Sequence, residues 1–513
     1  MTFSFRTIKA KLSSLCSNRS LFRVSVAIML TGIALRLIYY FQNRCLFIDE
    51  ANVARNIYER SFTGLTHPLS YEQYAPPLFL WIVKCCTLLF GYGELSYRLY
   101  PLLCGISSLW LMFVALKKYC SLQAVWYPLS LFATGMIYID YSATLKQYAP
   151  DVVVALSVIL LAGRLDITGV KPLRFLLVWV VVGSIAIWLS MPAIFMLSGV
   201  GTYYMFLSIK SKKYVQTLAV ALIGSVWLLQ FGIYYFTILK PQIQSDYLQK
   251  CHEDFFLFLL PDTTEKITHN LYVLDAVIAA MGGKWTLSIG LHLVTLLSGI
   301  VYLFRNHTAK ALLLTTPVVA VFIAAALHQF ALTPRIILFM MPLMLILIGN
   351  GLHVLLSLNY KALSAILVSG AVVCIANFGA FRLCYERMDN EEITQNLNFL
   401  KSEKISGEHL YVHNLAAPAF IYYTSIHPGK NKWKELSNAH LLMWNSNYDT
   451  IGQTSTDRWA LLYSWAPDEE IVNEQLTIKK SNRLVEENLV AGGHAYIYQK
   501  TPVNAADHST APN

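Results

Sequence analysis

Asp49 and Glu50 stand side by side in Leu46-Phe47-Ile48-Asp49-Glu50-Ala51-Asn52, just past the first strongly apolar stretch of the chain. Adjacent carboxylates repel each other, and they anchor a membrane surface less well than Lys, Arg, Trp or Tyr. They suit acid–base chemistry, in which Asp49 takes the proton of an acceptor hydroxyl. The same pair, followed by Ala-Asn-Val-Ala-Arg, also favours the first turn of a helix. A second polar run, Tyr71-Glu72-Gln73-Tyr74-Ala75-Pro76-Pro77, ends in a Pro-Pro pair that fixes an extended lead into a helix. A third runs from Tyr141 to Asp151 and holds Lys146, Gln147 and Tyr148. A lysine close to a carboxylate suits a phosphate-bearing ligand, with the cation on the phosphate. Asp151, directly before an apolar helix, is also a good N-cap. The fourth run, His328 to Arg335, ends in an arginine that either snorkels to an interface or grips a phosphate through two N–H groups. His252-Glu253-Asp254 could bind a metal, although three adjacent residues rarely converge on one ion.

The elements that must position these residues are apolar. Hydrophobic residues make up 56% of the 513-residue chain and charged residues 14%, against about 25% charged in an ordinary soluble domain. The mean hydropathy is +0.48. The sequence is that of an integral membrane protein with a soluble part. The net charge of +10 comes without a dense Lys/Arg block, so it fits basic loops beside anionic lipid rather than nucleic acid. The nine cysteines show no CxxC or Cys/His pattern, and no disulfide framework is readable.

The stretch from about Leu21 to Phe41 is too long for a cleaved signal and reads as a first span with its N-terminus in the cytoplasm. Pro76 to Phe90 is short and contains Lys84, so it reads as a juxtamembrane or re-entrant helix. If it does not cross, Tyr97 to Leu116 runs inward and Lys117-Lys118 land inside. Further spans are expected at 121–139, 152–165, 173–190, 192–209, 214–239, 284–304, 311–329, 336–357 and 361–381, about eleven crossings in all. All four polar runs then fall on the outer face, with the C-terminus. The loop 240–283 carries an aromatic-apolar run after His252 that suits a lid or a lipid guide. From 382 the composition turns polar. Strands around His409–His413 and Trp459–Tyr463, with helices at Glu391–Leu400, Pro418–Tyr423 and Glu469–Leu476, predict a small α/β domain over 382–503. Residues 504–513 read as a disordered tail.

Taken together, these residues resemble the membrane glycosyltransferases of the GT-C fold, in particular the family 39-like and aminoarabinose-transferase-like group related to protein O-mannosyltransferases. The resemblance covers roughly residues 21–381 and rests on four pieces in order. They are Asp49-Glu50 after the first span; Gln73 to Trp81 with its Pro76-Pro77; Phe90-Gly91-Tyr92-Gly93-Glu94 to Leu99; and Leu145-Lys146-Gln147-Tyr148-Ala149-Pro150-Asp151. Thr144 stands where relatives often carry a carboxylate. The resemblance implies a 1–381 transferase domain and a polyprenyl-phosphate sugar donor at the outer leaflet of a bacterial inner membrane. It implies transfer to a periplasmic lipid, glycan or protein acceptor with inversion at the anomeric carbon. Asp49 would be the base, Lys146 and Arg335 would neutralise the lipid phosphate, and Glu50 and Asp151 would orient groups or hold a divalent ion. Arg55, Gln73, Gln147 and Tyr148 complete the set as substrate-binding candidates. No cofactor is required by the pattern, and a divalent metal is left open. A transporter or flippase of lipid-linked glycans is the rival reading; it predicts ionisable residues or broken helices near the bilayer midplane.

Overall fold

The computed structural model describes residues 18–501 apart from 168, 244–248, 251, 283–285, 358–369, 371–376, 444–445, 449–450, 452–456 and 467. Most of the expected span at 361–381, and the tail at 504–513, lie outside the described residues. The described chain divides into two compact units. The first comprises the chain up to Phe41, Ser61–Cys85 and Arg98–Glu386; the second comprises Gln42–Arg60, Cys86–Tyr97 and the chain from Arg387 on.

The first unit is a helical bundle. Among the described residues eight helices are long and apolar enough to cross a membrane, from Arg19–Phe41 to Leu338–Leu356. Pro77–Phe90 and Tyr148–Ala162 are apolar but shorter. At 1.5 Å per residue the first of these is about 21 Å long, less than a bilayer's hydrocarbon core. Helix Tyr214–Tyr234 turns Leu218, Leu222, Leu228 and Leu229 outward. In a membrane protein such a face meets lipid rather than water. The loop 240–283 contains a helix of its own, Thr264–Gly282.

The expected span 121–139 is broken. It forms a 3-10 turn at Leu122–Ala124, a helix at Trp126–Thr134 and a short helix at Met136–Asp140. Gly135 is the break, with extended backbone. A Cβ there would lie 2.7 Å from the Leu131 carbonyl oxygen and 2.9 Å from the Tyr138 ring. The break leaves carbonyls without helical partners, which must be satisfied in an apolar interior. Arg36 supplies the donors. Its guanidinium bonds the carbonyls of Ala133 at 3.0 Å and Phe132 at 3.1 Å, and that of Gly32 on its own helix at 3.0 Å. The buried arginine in the first span is therefore structural.

The second unit carries a five-stranded mixed sheet, ordered β2-β1-β3-β5-β4. The strands are β1 Leu410–Val412, β2 His440–Leu441, β3 Arg458–Ser464, β4 Asn482–Val490 and β5 Gly493–Lys500. β1 runs parallel to β2 and β3, while β3, β5 and β4 are antiparallel. Gly492 closes the β4–β5 hairpin with φ +65°, a conformation side chains resist. Trp459, Leu461, Tyr463, Tyr496 and Tyr498 form its core with Ile471 and Ile478. Helices Ile393–Ser402, Ala417–Ile421 and Asp468–Ile478 lie close to the segments expected from the sequence. The β4–β5 hairpin was not among those segments.

Candidate active site

In the second unit, Asp49 and Glu50 occupy the first turn of helix Ile48–Glu59. Acids at a helix N-terminus are favoured by its unpaired N–H groups. The helix buries Ala51, Val53, Ala54 and Ile57, and that face fixes which way the first turn points. The pair is split by burial. Glu50 is 1% exposed, whereas Asp49 is only half-buried. Asp49 is thus the member that solvent-borne groups can reach. Arg55 lies about one and a half turns further along, 3.6 Å from Glu59.

The chain ahead of this helix is fastened by side chains from elsewhere in the same unit. The Leu46 N–H donates to the Tyr423 hydroxyl at 3.0 Å, and that hydroxyl donates to Glu94 at 2.8 Å. His427 Nε2 approaches the other oxygen of Glu94 at 3.3 Å. The Ile48 N–H donates to Glu391 at 3.0 Å. The Phe90–Leu99 motif thus acquires a physical role. Gly91, at φ +88°, turns the chain so that Glu94 can hold the residues leading to Asp49.

In the first unit, two of the sequence motifs meet. Lys146 is 8% exposed, and its ammonium donates to Gln73 Oε1 at 2.8 Å. Gln147, Tyr148 and Asp151, at the start of helix Tyr148–Ala162, line a cavity of about 100 Å³ together with Tyr74, His252 and His328. Its walls are otherwise largely apolar, with Met191, Phe256, Phe330 and Ile336. Asp151 is 3% exposed, and its Oδ1 has no hydrogen-bond partner among the described residues; the same holds for Gln147 Oε1. Buried acceptors left this way favour a ligand that donates hydrogen bonds.

Arg335 lines a different and wider cavity of about 430 Å³, with Asp140, Tyr141, His252 and Thr333. His252 borders both spaces. Its neighbours Glu253 and Asp254 are exposed, so the three adjacent residues do not converge. Asp140 had no place among the expected site residues. The Tyr39 hydroxyl donates to its carboxylate at 2.5 Å, and Thr144 Oγ1 donates to its carbonyl at 2.8 Å. A carboxylate therefore lies four residues before Thr144, at the end of the short helix Met136–Asp140. The sequence signal was a lone acid closing an apolar run; nothing in the sequence pointed to Tyr39, Tyr423 or Glu391.

A divalent metal needs converging ligands. Among the described residues one group has that spacing: His413, Glu470 and Glu474 in the second unit. His413 Nε2 is 3.4 Å from Glu470, and the Leu415 N–H faces His413 Nδ1, also at 3.4 Å. These two contacts favour the tautomer with the lone pair on Nδ1 and Nε2–H directed at Glu470. A metal held through Nε2 requires the opposite tautomer, with Nδ1–H donating to an acceptor. The Tyr463 hydroxyl already donates to Glu474 at 2.5 Å. Burial holds the His413 pKa below its ordinary value and raises that of Glu474. The three side chains have the spacing of a metal site and, as they stand, bond to one another and to Tyr463.

No family model matches the sequence, and no curated protein matches it. Solved structures do. The aminoarabinose transferase ArnT from Cupriavidus metallidurans in the apo state superimposes with a TM-score of 0.53 at 14% identity, over 92% of this chain and 97% of that one. ArnT bound to undecaprenyl phosphate gives 0.54 at 13% identity with the same coverage. An Archaeoglobus fulgidus oligosaccharyltransferase, solved with Zn and sulfate, overlaps at a TM-score of 0.44, 14% identity, 83% of this chain and 59% of that one, which is too loose to bear on the fold. The likeness to ArnT establishes the architecture. This is a polytopic helical membrane protein of the GT-C fold with a small α/β domain.

Proposed function

We propose that the protein is an inverting glycosyltransferase that moves a sugar from a polyprenyl-phosphate donor to an acceptor at the periplasmic face of the inner membrane. One observation carries this reading: almost the whole chain follows the fold of ArnT, one structure of which is bound to undecaprenyl phosphate. The residue chemistry supports it.

In this reading Asp49 is the general base. Half-exposed at a helix N-terminus, it takes the proton of the acceptor hydroxyl as the oxygen attacks the anomeric carbon. The sugar–phosphate bond breaks on the opposite face, which inverts the configuration. The departing phosphate carries the bond's electron pair, and Lys146 and Arg335 stabilise that charge. The Gln73 amide oxygen orients the Lys146 ammonium. Arg55, Gln147, Tyr148 and Asp151 bind the substrate, and Glu50 supports the first turn that carries Asp49. The N-terminus is assigned to the cytoplasm and the α/β domain to the periplasm. A transport role draws no support from Arg36, because its Nη atoms are spent on backbone carbonyls.

The test uses purified protein in lipid nanodiscs with a panel of undecaprenyl-phosphate sugars. Mass spectrometry follows retention of the lipid, release of undecaprenyl phosphate and gain of one sugar by an acceptor. Binding with turnover that Asp49→Asn removes supports the proposal. Neither binding nor turnover across the panel refutes it.

A further inference from the structure

The N-terminal N–H groups of helix Ile48–Glu59 have no partners within the helix, and the residue ahead of it, Phe47, supplies no side-chain cap. The bond comes from a residue more than 340 positions away. Glu391 is 1% exposed and accepts the Ile48 N–H through Oε2 at 3.0 Å. A second grip lies beside it. The Trp465 ring meets the Phe47 ring, with centroids 6.3 Å apart. Trp465 itself has φ +56°, a left-handed backbone that a non-glycine residue adopts only when its surroundings hold it there, and its N–H is fixed to the Gly492 carbonyl at 3.1 Å. Phe47, Ile48, Glu391 and Trp465 all belong to the second compact unit.

Helix starts are ordinarily capped by a neighbouring Ser, Thr, Asp or Asn. A cap delivered from the α/β domain ties the direction of the first turn to that domain instead. We propose that Glu391 is a positioning residue for Asp49 and Glu50, acting through its hydrogen bond to the Ile48 N–H. The inference rests on the transferase reading for its kinetic consequence, but not for its structural one. Burial, with a lesser contribution from the Glu50 charge, pushes the Glu391 pKa up to about 8. A neutral acid caps the helix without setting a third negative charge beside the pair, and glutamine is its close mimic.

The experiment compares the full-length protein with Glu391→Ala, Glu391→Gln and Ile48→Pro in nanodiscs. Three readouts are taken: amide hydrogen exchange of the peptide covering Leu46–Asn52, undecaprenyl phosphate affinity, and turnover with whichever prenyl-phosphate sugar is accepted. Glu391→Ala is expected to raise exchange and lower kcat by about tenfold or more, since a small misplacement of a reacting group costs on that scale. Phosphate-lipid affinity stays unchanged, and Glu391→Gln restores both exchange and kcat. Ile48→Pro guards against an alanine variant that fails to fold. Proline is tolerated at the first helical position, so a purely structural cap predicts no loss, whereas loss of the bonded N–H predicts a lower kcat. Unchanged exchange and kcat in Glu391→Ala, a glutamine variant as impaired as alanine, or a fully active Ile48→Pro each overturn the proposal. A wild type inactive on every donor would refute the transferase reading, and the exchange data would still decide the cap.

Discussion

Two helix starts carry the candidate site carboxylates Asp49, Glu50 and Asp151, and they are built differently. Asp49 and Glu50 open helix Ile48–Glu59, and Asp151 lies in the first turn of helix Tyr148–Ala162. Locally both follow one rule, an acid in the first turn of a helix, at the positive end of its dipole. At the first start the N–H of Ile48 is held by a distant glutamate, and Asp49 remains half-exposed. At the second the acid is buried in the wall of a mostly apolar cavity, with one oxygen unpartnered among the described residues. The accessible acid suits a group that must meet and release a proton. The sealed one suits a group that waits for a ligand's hydrogen bonds. The same local code thus produces two different environments, and the difference is burial.

The largest expected effect tests that division directly. Asp49→Asn should lower kcat by about 10²–10⁴-fold, the usual worth of a general base, with donor affinity intact. Asp151→Asn should act the other way round, raising KM more than it lowers kcat. Steady-state kinetics on both variants would erase the contrast if the two profiles matched. Next in size is the lysine ahead of the second start. Lys146→Ala should weaken undecaprenyl phosphate binding by about 10–100-fold, the loss of a buried charge-assisted contact. Gln73→Leu should do so less, because it removes only the orienting acceptor. Equal binding by calorimetry in wild type and Lys146→Ala would remove the phosphate role.

The third prediction concerns the cap. A carboxyl whose folded pKa is about 8 lies above the ordinary value near 4.5. Its contribution to stability is fully present below the ordinary value and is lost as pH rises toward about 8. The loss is at most on the order of a few kcal/mol. Thermal unfolding of wild type should therefore fall relative to Glu391→Gln between pH 5 and pH 8, and parallel curves would mean that Glu391 is ionised throughout. The smallest effect is expected at Arg55. Its 3.6 Å pairing with the exposed Glu59 is worth about 0.3–0.5 kcal/mol. Glu59→Ala should leave the unfolding temperature nearly unchanged, and a larger drop would give the pair a role beyond the helix surface.

The apolar runs were readable in the sequence because a span needs about 20 such residues whatever surrounds it. The helix at Asp49, the strands at Leu410–Val412 and Arg458–Ser464, and the switch to a polar domain were readable for the same reason: short-range pattern and composition determine them. The broken span at Gly135 was not. It looks apolar throughout, and its break is stable because Arg36, almost a hundred residues earlier, takes the freed carbonyls. The β4–β5 hairpin escaped because β4 is an edge strand with a largely exposed, charged surface that lacks a hydrophobic alternation.

Although the second helix begins at Tyr148, with Gln147 and not Asp151 as its cap, the membrane class, the helix start at Asp49-Glu50 and the residue types able to do acid–base and phosphate chemistry are legible in the chain alone. These follow from side-chain hydrophobicity and from groups within a few positions of one another. Folding alone makes Glu50 buried and leaves Asp49 half-buried, bonds Lys146 to Gln73, brings Asp140 and Arg335 to one cavity, and caps Ile48 with Glu391. Each of these depends on groups brought together across long stretches of chain, and burial and hydrogen-bond partnership exist only after that folding has occurred.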